Sequence, residues 1–224
     1  MRRRFARHAA PAVALSACLL TACYFTSERP LPPDPGVDAD LLGVWRPLHT
    51  AGEPPSPGDA LVVTARRNVM LVQVVEAGGT GGDTYVGFAA RAGGEKYLCV
   101  ESVRVSADPP RVGAQPGFAV GHYRFAREGG LVMTLLDVDV IRSAVAEKRL
   151  AGEIQGHRYG DTIRVTDSGD RFAAFLASRP VAELLEKQPL LVAKRYRFAQ
   201  VAETSSPGAA RSGNAPVTTA GHHR

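Results

Sequence analysis

Short runs of apolar and β-branched residues, alternating with polar ones and separated by glycine-containing turns, dominate the middle of the chain, and this period of two is the signature of strands. Leu41-Leu42-Gly43-Val44-Trp45 opens the series. Leu61 to Ala65 and Val69 to Glu76 flank Arg66-Arg67-Asn68, which reads as a hairpin. Thr84 to Arg91 and Lys96 to Val103 flank Ala92-Gly93-Gly94-Glu95, and Phe118 to Arg127 and Leu131 to Asp137 flank Glu128-Gly129-Gly130. Thr162 to Thr166 and Leu190 to Ala199 add two later strands. Sequential hairpins of this kind predict a mainly β fold, an antiparallel barrel or half-barrel of about 8–9 strands whose closure removes exposed edges.

The pattern changes to a helical one twice. Val138, Ile141 and Val145 share one helical face, with Asp137 placed to cap the amino end and Gly152 beyond the other end. Ser168 is placed to cap a second helix, whose Phe172, Phe175 and Leu176 form a stripe that Pro180 ends. Val181 to Lys187 adds a further turn or two, giving two or three short helices in all. These stripes are read as packing faces over a sheet or barrel mouth.

The two ends of the chain have different compositions. MRRRFARH carries four arginines and no acid, and an apolar stretch from Ala9 to Ala22 follows, the layout of a secretory signal. That stretch is too short to span a bilayer comfortably and contains Pro11. Its end, Leu20-Thr21-Ala22-Cys23, resembles the lipobox of bacterial lipoproteins, and the resemblance implies cleavage after Ala22 and acylation of Cys23. Leu15-Ser16-Ala17-Cys18 is a second match, which leaves Cys18 as the less favoured acceptor because cutting there would leave an apolar run on the mature chain. Tyr24, in place of an aspartate, implies by the same resemblance the outer membrane, with the domain facing the periplasm. Residues 23–40 are rich in proline and read as a spacer behind the anchor, residues 41–200 as the β domain, and residues 201–224, with few large apolar side chains, as a disordered tail.

Leu42-Gly43-Val44-Trp45 is similar to the G-x-W opening of lipocalin-type barrels. In that family the tryptophan closes one end of the barrel under an arginine from a late strand, a role the resemblance gives to Arg195 or Arg197. The order of lipobox, proline-rich segment, G-x-W strand, hairpins and late Phe-x-x-Phe-Leu helix also resembles a group of uncharacterised bacterial lipocalin-like lipoproteins. The resemblance implies no substrate. The chain departs from secreted lipocalins in lacking their disulfide and in having more than one helix, so closed and half-open barrels both stand as alternatives.

No chemistry-bearing motif emerges from the sequence. Gly78-Gly79-Thr80-Gly81-Gly82 lies between strands with no following helix and no lysine-serine pair, so it is no phosphate loop. There is no G-x-S-x-G elbow, no H-E-x-x-H pair and no C-x-x-C pair. His122 is the one histidine on a clear strand, with Glu101 or Asp137 as conceivable partners, and a hydrogen-bonded or solvated role explains it. The aspartates 137 and 139 at a helix start are explained by capping and the helix dipole. Cys99, in Tyr97-Leu98-Cys99-Val100, reads as a buried strand position. The chain is therefore read as non-enzymatic, with no catalytic residues, no metal site and no cofactor.

Charge sharpens this reading. The 224 residues carry a formal charge of +5, but four of the 27 basic residues leave with the signal while all 22 acids stay, so the mature chain is 23 against 22. A basic surface for nucleic acid is thus not expected. Two functions follow as expectations. One is a binding module for a small apolar ligand or lipid, lined by Trp45, Met70, Tyr85, Phe88, Tyr123, Phe125 and Met133. The other is an interaction protein whose loops dock another envelope component. A cavity of several hundred cubic ångströms would favour the first, and a solid core with an exposed apolar patch would favour the second.

Overall fold

In a computed structural model, residues 25–48, 59–67, 69–75, 83–104, 117–157 and 160–196 are described. The alternating runs form strands that bury every second side chain. These are β2 (Gly43–Pro47), β3 (Ala60–Arg66), β4 (Val69–Val75), β5 (Asp83–Ala92), β6 (Glu95–Arg104), β7 (Phe118–Phe125), β8 (Gly130–Leu135) and β11 (Leu191–Tyr196). Each pairs antiparallel with its neighbour in chain order, and β11 inserts between β8 and β2. The β6–β7 pairing then completes a ring of eight strands. The barrel is closed, which decides between the closed and half-open alternatives. Closure gives each strand of the ring a neighbour on both sides and leaves no open edge in it, the physical reason for closure.

Between β8 and β11 the chain leaves the ring and covers one side of it. The excursion comprises α1 (Val138–Ala146), β9 (Gly152–His157), β10 (Gly160–Val165), α2 (Gly169–Ala177) and the short α3 (Val181–Leu184). Asp137 caps α1 by accepting from the backbone N–H of Asp139 and Val140, and Ser168 caps α2 by accepting from Arg171 N–H. The stripes predicted from sequence face inward: Ile141, Ala144 and Val145 of α1 and Phe172, Phe175 and Leu176 of α2 are buried. They meet the outer side chains Tyr97, Cys99 and Val120 of β6 and β7 in one core, separate from the core inside the barrel.

The amino-terminal segment differs from its expected role. Residues 25–40 do not form a spacer; they belong to the domain. β1 (Phe25–Ser27) runs parallel to β10 and touches β7 at Phe118, and the pair β10–β9 extends this three-stranded arm. Leu31 is fully buried, Pro33 bridges Ala90, and Asp34 N–H donates to the Ala89 carbonyl at 2.9 Å. The prolines do fix an extended backbone, as their φ restriction requires. That extended backbone is laid along β5 as a strap instead of standing in solvent, because Phe25 and Leu31 have apolar sites to fill. The signal segment, Cys18, Cys23, Arg197, the glycine-rich segment 78–82 and the tail 201–224 lie outside the described residues.

The strap and α2 meet without spare room, since a Cβ added at Gly169 would collide with the Pro30 carbonyl. Gly169→Ala is expected to destabilise the fold by about 1–3 kcal/mol, the range for forcing extra volume into a filled site. Chemical denaturation monitored by circular dichroism checks this, and an unchanged midpoint would show that the strap does not pack on α2.

Candidate functional site

One end of the barrel is shut by side chains from both sequence extremes of the ring. Gly43 takes φ +136°, a conformation open to glycine, and the strand then points Trp45 into the barrel, where the indole is fully buried. Its single polar atom is satisfied, with Nε1 donating to the Leu41 carbonyl at 2.8 Å. Arg195 of β11 pairs with Trp45 in register and lays its guanidinium 4.9 Å from the ring centroid. The same guanidinium donates to the Asp40 carbonyl. The expectation of an arginine over the tryptophan therefore holds for Arg195, whereas Arg197 is not described. Phe125 meets Trp45 at 6.0 Å, and Tyr123 meets Phe125 edge-on at 5.9 Å.

The strap crosses this end and is pinned by a polar knot that sequence reasoning missed. Asp38 accepts from Lys96 Nζ and from Tyr123 Oη, each at 2.8 Å, and from its own turn at Asp40 N–H at 3.0 Å. Burial alone would raise the Asp38 pKa, but the bonds from Lys96 and Tyr123 outweigh it and hold the carboxyl below its ordinary value. Burial pushes Tyr123 up, and the bond to Asp38 adds to the shift, so the phenol remains a donor. Lys96 also lies 5.5 Å above the Phe125 ring. The missed signal was Asp38-Ala39-Asp40 before an apolar pair, a turn motif whose long-range partners, 58 and 85 residues away, are invisible locally.

Of the expected lining residues, Trp45, Met70, Tyr85, Tyr123 and Met133 lie inside the barrel with Phe125 against them. Phe88 does not. It alternates with the inward Gly87 and Ala89, so it points outward and packs edge-on against Phe118 at 5.9 Å, in the core beneath the helices. Among the described residues the barrel interior is closely packed. Between Tyr85, Leu98, Val100, Met133, Leu135 and Leu190, toward the end away from Trp45, the cavity measures only about 20 Å³. Among the described residues, larger depressions open on the surface. One, of about 490 Å³, lies beside Trp45 and Phe125 and is rimmed by Asp40, Glu128, Lys194 and Arg195. Another, of about 760 Å³, runs along α2 past Arg149, Arg171, Phe175 and Arg179.

The other candidate groups have structural work. His122 Nε2 lies 2.9 Å from Glu95 Oε2, and neither Glu101 nor Asp137 supplies that partner. Cys99 is buried, which pushes its thiol up to about 12, partly offset by a backbone hydrogen bond at Leu31. No group of three His, Cys, Asp or Glu side chains among the described residues could hold a metal ion.

Fold and closed end together define a lipocalin-like, eight-stranded antiparallel barrel with an added arm and helices. Compared with protein-family models, curated proteins and solved structures, the chain gives no match in any of the three.

Trp45 is the sole tryptophan, so intrinsic fluorescence reads this end directly. Trp45→Ala is expected to cost about 3–5 kcal/mol. Arg195→Ala is expected to cost about 0.5–2 kcal/mol and to admit iodide to the indole. Unchanged iodide quenching in that variant would refute the cap. The Asp38 contribution should be complete above its ordinary value of 3.8 and disappear as pH falls through the lower folded value. Thermal melts between about pH 5 and pH 2 should therefore drop less steeply for Asp38→Asn than for wild type, and equal slopes would contradict the knot.

Proposed function

We propose that this chain is a lipid-anchored protein of the bacterial cell envelope, held through Cys23 at the outer membrane and facing the periplasm, whose barrel serves as a scaffold for docking another envelope component. The observation that carries the docking half of this reading is the close packing of the interior among the described residues. A cavity of about 20 Å³ has room for about one water molecule, whereas small-molecule sites typically need about 300–1,000 Å³. The larger depressions carry charged rims, which suits contact with a partner surface better than enclosure of an apolar ligand. The anchor rests on the lipobox at residues 20–23 behind an arginine-rich amino terminus and an apolar stretch. Among the described residues no helix is long and apolar enough to cross a membrane.

Two masses test the two halves. Wild-type protein extracted from its own membrane should carry acyl chains that Cys23→Ser lacks, and identical masses would remove the anchor. Native mass spectrometry of the gently purified wild type should show no stoichiometric small molecule. A retained apolar ligand would restore the carrier reading and refute the scaffold.

A further inference from the structure

Among the described residues, the helices and the amino-terminal arm cover one side of the barrel wall. The outer side chains of β6 and β7 are packed beneath the helices and the amino-terminal arm. Among the described residues no helix or arm packs over the outer side chains of β2, β3, β4 and the start of β5, and these include valines and a leucine among polar residues such as Arg46, Arg66 and Gln73. Val44 pairs with Val62, and one step along, Leu71 pairs with Val86. All four are partly exposed, and none belongs to either core. Apart from Gln73, the sequence of β4, Val-Met-Leu-Val-Gln-Val-Val, is apolar on both faces, close to the composition of a strand buried on both sides. We infer that this wall, centred on Val62 and Leu71, is the surface on which a protein partner of the envelope docks, and that the partner presents apolar side chains beside acidic ones.

Charge selects that partner. The outward positions of β2, β3, β4 and β11 include Arg46, Arg66 and Lys194, all exposed, and no acid. Two copies meeting through this wall about a two-fold axis would bring like charges together, which opposes self-association. An acidic rim on a different protein would complement them. The closed barrel has no free strand edge to lend, so contact must be through side chains of the face.

Position excludes the bilayer as the occupant. This step rests on the anchor at Cys23 proposed above. Two residue steps separate Cys23 from Phe25 of β1, a reach of at most about 7 Å. β1 is attached to the ring at β7. In the ring of eight, β3 stands four places from β7 in either direction and is therefore diametrically opposite. A tether this short keeps the β7 side near the membrane and turns Val62 away from it, toward other envelope proteins.

The test uses the full-length lipidated protein in its native envelope, with a photo-crosslinking amino acid placed singly at Val62, at Leu71 or, as a comparison, at the exposed Ala174 of α2. Adducts to one protein from Val62 and Leu71 but not Ala174, mapped by mass spectrometry to a segment of apolar and acidic residues, are expected. Combining Arg46→Glu with Lys194→Glu should lower their yield about tenfold, with Trp45 fluorescence confirming that the barrel is intact. Adducts to a second copy, to lipid, or from Ala174 alone would overturn the assignment of this wall while leaving a docking function in place. So would a yield that charge reversal does not change. Silence at all three positions would remove the docking reading as well, and the acyl mass of the same samples reports independently on the anchor.

Discussion

A tryptophan can be placed wholly inside a barrel only if its N–H finds an acceptor there, and most of this structure follows from how that condition is met. The acceptor is the carbonyl of Leu41, four residues upstream, so the chain before β2 must turn back over the barrel end. That turn is held by Asp38, whose carboxylate reaches Tyr123 from inside the ring and Lys96 from its rim. Arg195 then caps the indole and ties the turn through the Asp40 carbonyl. Each contact joins segments distant in sequence, so the end closes cooperatively or not at all.

With that end shut and large side chains such as Tyr85, Tyr123 and Met133 directed inward, little volume is left to enclose. Among the described residues the barrel is packed through its interior. The outer wall is asymmetric: helices and arm bury the β6–β7 side, while among the described residues the β2–β4 side keeps partly exposed valines and a leucine beside cations. One side of the barrel is thus committed to the protein's own core, and the other keeps partly exposed apolar side chains.

Sequence reasoning located the strands, the helix caps and the tryptophan well because each is written in local terms. Alternation marked β3 to β8, and Asp137 and Ser168 stood where caps must stand. It failed where context overrides local character. Prolines between residues 30 and 35 correctly signalled extended backbone, but whether such backbone stands in water or lies in a groove depends on a site for Leu31 that only the folded barrel supplies. β9 escaped notice because Gly-Glu-Ile-Gln-Gly-His holds one large apolar side chain, Ile154, and that one is exposed. Phe88 was misassigned because a strand apolar on both faces gives no parity to choose by, and the inward face is fixed by its neighbours Gly87 and Ala89.

The amino-acid sequence alone determined an antiparallel β fold, two well-capped helices, the G-x-W opening and the absence of familiar catalytic motifs, since these depend on periodicity, caps and spacing over a few residues. Tertiary structure decided what depends on distance across the fold. It closed the ring by inserting β11 beside β2, laid the expected spacer down as a strap held by Asp38, and packed large side chains into the barrel interior. Pairing across many intervening residues, and the volume left once side chains interlock, are properties of the packed chain, and no local pattern encodes them.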